Sequence, residues 1–415
     1  MTDTSSTTPK TLKENVSKKS VLIIEDMNEM RLMLKSMMLS LGYTNIELEA
    51  SGQSALKRME AKNFDIILSD YNLGGQINGQ QVLENYRKNN QLNHSNIFIM
   101  ITADTGYDCV ASAIEHRPDS YLVKPFTPLT LHRRLDRIKK QKSIFASVYE
   151  SRNQNDFEKM EIEARAVMSQ HPQYRNLCLK AIGESLMSRA DYKAAKIHYM
   201  GVLRQNKELS WAHFGAAQCD LNLQQPLSAI EGLEKAVSIS PHFLPAYDEL
   251  ANAQEKLRKF KEAQKTIIKS LDVSPRSLAR TKRLGKLSTK LKDWKIAEQA
   301  YSRVIRLTKD TQHEKIEFYY EHLKCLIAIQ ENDPQAPQTA DKLKRSLARL
   351  RQIGKDNPTA LSNSFRVEVQ QYLHQARRED AIKSWKQWKQ LIESGKASSI
   401  TREQELTLQR KLGIA

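Results

Sequence analysis

Two fold classes follow one another along this chain: an α/β doubly wound domain on a five-stranded parallel sheet, then an all-α repeat superhelix. Three observations carry that reading. Between Ser20 and about Lys140 short apolar runs alternate with amphipathic helical patterns, the signature of βαβ units. From about Ser143 onward no convincing strand follows, only helix after helix. Within that second region the sequence aligns on itself with a period of 34 residues.

In chain order, MTDTSSTTPKTLKENVSKKS is Ser/Thr/Lys-rich without an apolar core, so residues 1–18 are expected to be a disordered tail and not a signal or anchor. The strands expected over 19–140 are SVLIIE (20–25), IELEA (46–50), FDIILS (64–69), NIFIMI (96–101) and SYLV (120–123). Their nearly continuous hydrophobicity suits parallel strands buried on both faces. Among the intervening helices, MRLMLKSMMLSLG stops at a good C-terminal glycine, Gly42. The segment 130–149, free of Gly and Pro, suggests a helix running from the sheet domain into the repeats without a flexible break.

Over 141–310 the repeat phase is explicit. Ala195, Ala229, Ala263 and Ala297 share one phase, and Gly183, Ala217, Ala251 and Gly285 another. Tyr199, Leu233, Ile267 and Tyr301 share a bulky phase; Tyr192, Pro226, Phe260 and Trp294 share a second, from which Pro226 departs. Small residues let helices approach while bulky ones fill the space between neighbouring units, so no unit is stable alone. Four copies are clear over about 176–309, and a weaker one is suggested around Phe157 to Pro172. After 310 the phase is lost, and 311–415 is expected to hold degenerate repeats or a helical cap.

The bulk numbers bound the function. The chain has 415 residues and a formal net charge of +17, of which residues 1–140 carry about +2 and residues 141–415 about +15. A partner-seeking basic surface therefore belongs to the helical part, and charge alone does not choose among nucleic acid, acidic protein and anionic lipid. Cys109, Cys178, Cys219 and Cys325 show no Cys-x-x-Cys spacing, which argues against zinc or a disulfide framework and for buried thiols in a reducing compartment. No run approaches the roughly 18 apolar residues of a membrane helix, so a cytoplasmic location is expected.

In open α/β sheets the ligand site lies beyond the C-terminal strand ends. Those ends carry Glu25 and Asp26, then Asp70, Thr102 and Lys124-Pro125. Taken singly each has a bland role: Asp70 as a turn cap, Glu25-Asp26 as a helix cap, Lys124 as a solvated charge. Taken together, two or three carboxylates at one edge would repel unless a hard cation sat among them, and Mg²⁺ suits oxygen ligands. Asp70 could then act as a nucleophile toward phosphorus, with Lys124 and the Thr102 hydroxyl holding phosphoryl oxygens.

IIED, IILSD, MITAD and YLVKPF, in that order, resemble the receiver domain of bacterial two-component response regulators, a flavodoxin-like fold. The resemblance implies Asp70 as phospho-acceptor; Glu25, Asp26, Asp70 and the backbone carbonyl of Asn72 as Mg²⁺ ligands; Thr102 and Lys124 as phosphoryl-binding groups; and Thr102 with Tyr121 as the switch pair. It further implies a histidine kinase or phosphotransfer protein as donor, docking on the Met-rich first helix (Met27, Met30, Met33, Met37, Met38). Two departures stand out. Gly74-Gly75 replaces the usual Pro region and Gly79 lies nine residues after Asp70, one more than the family spacing. Arg117-Pro118 stands where Gly-Ala is usual. Asn72 and Asp104 correspond to positions that tune the phosphoryl lifetime. Haloacid-dehalogenase-like phosphatases, the rival aspartyl-phosphate chemistry, need an Asp where Asn72 stands.

The 34-residue pattern resembles the tetratricopeptide repeat family, which implies a groove for a protein or acidic peptide. Lys282, Lys286 and Lys290 recur every four residues, with Asn252 one repeat before Lys286, partly matching a carboxylate clamp that Phe214 and Gln218 interrupt. The expected function is therefore a phosphorelay response regulator, not a conventional enzyme, that controls protein binding through its repeats. A phosphate sink or kinase-inhibiting adaptor is the alternative. RNA or DNA binding through the basic stretches ranks below both, and a homodimer is left open.

Overall fold

The computed structural model describes residues 17–74, 77–88, 96–103, 118–275, 277–311, 313–333 and 339–414. Gly75, Asp104, Cys109 and Arg117 lie outside the described residues. The chain forms two units, Met1–Arg276 and Ser277–Ala415.

The first unit opens with five strands: β1 Ser20–Ile24, β2 Asn45–Glu49, β3 Ile66–Asp70, β4 Ile97–Thr102 and β5 Ser120–Val123. They pair in parallel in the order β2-β1-β3-β4-β5. Helices α1 (Asn28–Ser40), α2 (Gly52–Ala61), α3 (Gly79–Lys88) and α4 (Pro128–Ile144) flank the sheet. Side chains alternate across a strand, so β1 divides its residues between two cores. Val21 and Ile23 pack with Leu34 of α1 and Leu131 and Leu135 of α4. Leu22 and Ile24 pack with Ala55 of α2 and Leu83 and Tyr86 of α3.

The expected strands are all present, shifted by one or two residues. One shift matters: β3 runs to Asp70, which pairs with Ile101 of β4, so the carboxylate belongs to the rigid sheet and not to the loop after it. Strand β2 is only half-buried, against the expectation of near-continuous burial, because it is an edge strand with one polar face. There Glu47 pairs with Arg58 and, at 2.7 Å, with Lys62. Helix α1 ends before Gly42, whose φ of +90° a side-chain-bearing residue would resist.

The expected unbroken helix over 130–149 is interrupted once. Helix α4 stops at Ile144 and α5 (Ala146–Asn153) starts one residue later. Phe145, 2% exposed, turns the chain because its ring is captured by the helical core, edge-on to Tyr174 at 5.8 Å between centroids.

The rest of the first unit is a series of helical hairpins. Helix α5 pairs with α6 (Phe157–Gln170), α7 (Arg175–Ser188) with α8 (Tyr192–Gln205), α9 (Ser210–Asn222) with α10 (Pro226–Ile239), and α11 (Leu244–Lys256) with α12 (Phe260–Val273). Each hairpin turns through one residue of positive φ near +58°: Asn155, Ala190, Gln224 and Arg258. The next N–H then donates back six residues, as in Asp191 N to Leu186 O at 3.0 Å and Lys259 N to Gln254 O at 2.8 Å, the Schellman closure. This turn is shared by the α5–α6 hairpin, so the weak first copy begins at α5. Tyr192, Pro226 and Phe260 each open the second helix of their hairpin. Pro226 departs from an aromatic pattern without cost to the helix, because the first helical turn has no use for its N–H.

The second unit starts with α13 (Leu278–Lys290) and α14 (Trp294–Thr308), turning at Lys292 in the same way. Longer helices follow: α15 (Ile316–Asn332), α16 (Thr339–Ile353), α17 (Pro358–His374), α18 (Arg378–Glu393) and α19 (Arg402–Leu412). The α17–α18 hairpin recovers the repeat turn, with Ala376 at φ +56° and Arg377 N donating to Tyr372 O at 2.8 Å. Ala381 and Trp385 then stand four and eight residues past Arg377, as Ala297 and Tyr301 stand past Asp293, and all four are buried. Cys178, Cys219 and Cys325 are buried free thiols, and no helix of the described residues is long and apolar enough to cross a membrane.

Candidate functional site

The strand order reverses between β1 and β3, so their crossovers leave to opposite faces and a crevice opens at their C-terminal ends. Glu25 and Asp26 follow β1 there, and Asp70 ends β3. One carboxylate oxygen from each lies within 4.8 Å of the others. Glu25 and Asp70 are buried and Asp26 is exposed, so the cluster has an inner wall and one arm in solvent.

Lys124 follows β5 and crosses the crevice. Its Nζ lies 2.9 Å from Glu25 Oε2 and 2.9 Å from Asp70 Oδ1. The second oxygen of Asp70 accepts the Asn72 N–H at 3.2 Å, and Glu25 Oε1 accepts the Met27 N–H at 3.4 Å. Burial pushes the Glu25 carboxyl above its usual range, with the ammonium of Lys124 opposing it. Burial also works against the charge on Lys124, but the hydrogen bonds to Glu25 and Asp70 outweigh it and hold the ammonium above its ordinary range. With all three carboxylates ionised, one ammonium leaves an excess of negative charge on an all-oxygen donor set, which a hard divalent cation matches.

Thr102 ends β4, 3% exposed, and its carbonyl accepts the Lys124 N–H at 2.7 Å. Tyr121 is 5% exposed, its ring within the core that holds Leu22, Ile67 and Tyr86. Every residue expected at the strand ends is therefore at one edge of one sheet.

The loop after Asp70 is shaped around the carboxylates. Gly74 has φ +33°, and a Cβ there would stand 2.6 Å from Asp26 Oδ2. The Gly79 N–H donates to Tyr71 O at 2.9 Å and starts α3. The residue added to this loop is taken up before α3 starts, where Ile77 packs against the core on the α2 side of the sheet.

Sequence reasoning missed Arg31, whose guanidinium donates to the carbonyls of Glu25 at 2.5 Å and Asp26 at 3.3 Å and so ties α1 to the end of β1. It also missed a charged cluster at the opposite edge. Asp119 holds Lys142 at 2.7 Å and accepts the Phe98 N–H at 2.8 Å. Arg152 of α5 pairs with Glu184 of α7 at 3.2 Å. Tyr149 is pushed up to about 12 by burial and then by the charges of Asp119 and Glu184. Arg87 of α3 is lowered by burial, with Asp119 opposing the shift and Arg152 adding to it. No local pattern announces this cluster, because its members come from five segments.

The groove residues fare differently. Asn252 is exposed on α11 in the first unit; Lys282, Lys286 and Lys290 stand on α13 in the second. Lys286 and Lys290 are exposed, whereas Lys282 is half-buried, with its Nζ 5.4 Å from the centroid of the Phe318 ring. Phe214 faces Phe243 at 4.9 Å between centroids, so it is core and not groove. On the first helix of the sheet domain, Met38 is core, Met30 and Met37 are half-buried, and Met27 and Met33 are exposed.

The family model for the response regulator receiver domain matches residues 21–136. Chemotaxis protein CheY-3 of Vibrio cholerae serotype O1 is 33% identical over 118 residues, 28% of this chain and 89% of that protein. Chemotaxis protein CheY of Pseudomonas aeruginosa is 31% identical over 118 residues, 28% of this chain and 94% of that protein. Among solved structures, a tetratricopeptide repeat protein from Parabacteroides merdae is 15% identical, with 66% of this chain and 98% of that chain covered and a TM-score of 0.35.

Proposed function

The chain belongs to the response regulator receiver family, and from that membership we propose that Asp70 accepts a phosphoryl group from a phosphohistidine and that the receiver's state governs which protein the helical repeats hold. The donor is a histidine kinase or a phosphotransfer protein. The observation that carries the reading is the placement of Asp70: a carboxylate on a rigid strand end, one oxygen on Lys124 and one on a backbone N–H, beside two further carboxylates.

In the transfer, a carboxylate oxygen of Asp70 attacks phosphorus, and the new P–O bond forms as the P–N bond to imidazole breaks. The bonding pair stays on the imidazole nitrogen, which is protonated from solvent. Lys124 and the Thr102 hydroxyl receive the phosphoryl oxygens. Glu25, Asp26, Asp70 and the Asn72 carbonyl would hold Mg²⁺, which neutralises phosphoryl charge when bound. Hydrolysis of the acyl phosphate returns the receiver to its starting state, so the chain acts as a switch and not as a multiple-turnover enzyme. Coupling to the repeats is supported by α3, which starts against the acceptor at Gly79 and ends in the Arg87–Asp119–Tyr149 cluster.

The site is tested by Mg²⁺-dependent labelling with acetyl phosphate, which Asp70→Asn should abolish; full labelling of that variant would remove Asp70 as the acceptor. Output is tested by pull-downs with wild type, Asp70→Asn and Asp70→Glu. Partner sets that differ support phosphorylation-controlled binding, and identical sets would leave the receiver as a phosphate sink or kinase-inhibiting adaptor.

A further inference from the structure

The second unit contains a cleft of about 480 Å³ between α14, α15 and α17. Its apolar part is made by Leu323 and Ile327 of α15 and Val367 of α17, with Trp294 and Tyr320 beside them. Tyr320, Leu323 and Ile327 follow at spacings of three and four, so they form one stripe along α15. Leu323 is buried in the local core, whereas Tyr320, Ile327 and Val367 are only partly covered. Usable apolar surface is thus left toward the cleft.

Charge decides what covers it. Elsewhere in this unit the cations facing inward are matched: Arg349 by Glu314 at 2.7 Å, Arg351 by Glu368 at 2.8 Å, and Lys342 by Glu298 at 3.1 Å. Lys324 of α15 and Arg366 of α17 are both exposed and both line the cleft. Neither makes a hydrogen bond or ion pair among the described residues. Residues 277–415 hold 28 Lys and Arg against 16 Asp and Glu, a net +12, so the surrounding field also favours an anion. A small inorganic anion would satisfy the cations and leave the apolar stripe wet. A purely apolar ligand would bury two charges without partners, which is costly.

We propose that this cleft docks an acidic segment of a partner protein. An apolar side chain of that segment seats on Leu323, Ile327 and Val367, and an adjacent carboxylate meets Lys324 and Arg366. Asn363, also in the lining, offers its amide to the peptide main chain. Glu331 lies seven residues beyond Lys324 on α15, roughly 10 Å along the helix at 1.5 Å per residue. It repels a second acid there and so sets the direction of the segment. The proposal rests on the reading of the repeats as a protein-binding surface, and it moves recognition from Lys282, Lys286 and Lys290 to α15 and α17.

The experiment is selection of a random octapeptide display library on the full-length chain, followed by fluorescence anisotropy with the best labelled peptide. The expected peptides combine Asp or Glu with a large apolar residue. Their affinity should fall at least tenfold in Lys324→Glu/Arg366→Glu, fall with rising salt, and be lost in Ala328→Trp, which fills the cleft. Lys324→Gln/Arg366→Gln, which removes charge without adding repulsion, should fall in between, and unchanged thermal unfolding confirms that the variants fold. Acidic peptides that bind all variants equally would overturn the cleft assignment while leaving the repeats as a binding surface. Enrichment of basic or uncharged peptides would overturn the chemistry. Selection of no peptide would overturn both this proposal and the reading beneath it.

Discussion

A Cβ placed on Gly79 would stand 2.1 Å from the carbonyl oxygen of Asp70. The first turn of α3 therefore rests directly on the main chain of the acceptor, and glycine is required there by contact and not by backbone conformation. Gly79→Ala should push α3 off the acceptor at an overpacking cost of about 1–3 kcal/mol. The expected outcome is a lower Tm together with at least tenfold slower labelling by acetyl phosphate. Unchanged labelling would mean that the acceptor geometry does not depend on α3.

Lys124 offers a second handle, because it neutralises two carboxylates that are themselves buried. Removing one partner of a buried pair typically costs about 3–5 kcal/mol. Lys124→Met should therefore lower the Tm in the absence of divalent ions. Saturating MgCl₂ should then raise the Tm of the variant by more than it raises that of wild type, since the bound cation takes over the charge of the missing ammonium. Differential scanning calorimetry with MgCl₂ and with EDTA reads both effects.

The repeats make a different kind of prediction. Where the bulky phase holds Tyr301, the small phase sixteen residues earlier holds Gly285, and a Cβ on that glycine would lie 2.9 Å from the ring. Where the bulky phase holds Leu233 or Ile267, the small phase holds Ala217 or Ala251, and all four are buried. Gly285→Ala should destabilise the second unit although alanine favours helix, and adding Tyr301→Leu should recover much of the loss. A urea-denaturation double-mutant cycle would show the coupling; strictly additive effects would refute size compensation.

The second unit also carries a pH-dependent element. Glu314 is held down at about 2, chiefly by hydrogen bonds from Arg349, with Tyr319 and the Asp310 N–H adding to it. A carboxyl depressed in the folded state contributes stability that is present above its unfolded value, about 4.3, and is lost as pH falls through about 2. The stability difference between wild type and Arg349→Met should therefore be greatest above about pH 5 and shrink steadily toward pH 2. Chemical denaturation across that range measures it.

The sequence by itself determined the sheet, the repeat phase and the strand-end residues, and the reason is local. Hydrophobic periods of 2 and 3.6 are written residue by residue, and in a parallel sheet the end of each strand is enough to place Glu25, Asp26, Asp70, Thr102 and Lys124 at one edge. The 34-residue period was legible because each hairpin meets the same neighbours. Tertiary structure decided what depends on distance in space. It set Lys124 between Glu25 and Asp70, stopped the helix at Phe145 where the ring found a core, and drew Arg87, Asp119, Tyr149 and Arg152 together. In the second unit it matched Arg349 and Arg351 to carboxylates while leaving Lys324 and Arg366 over an apolar cleft. Charge in the sequence is a sum, and which charges are neutralised is a property of neighbours that only packing assigns.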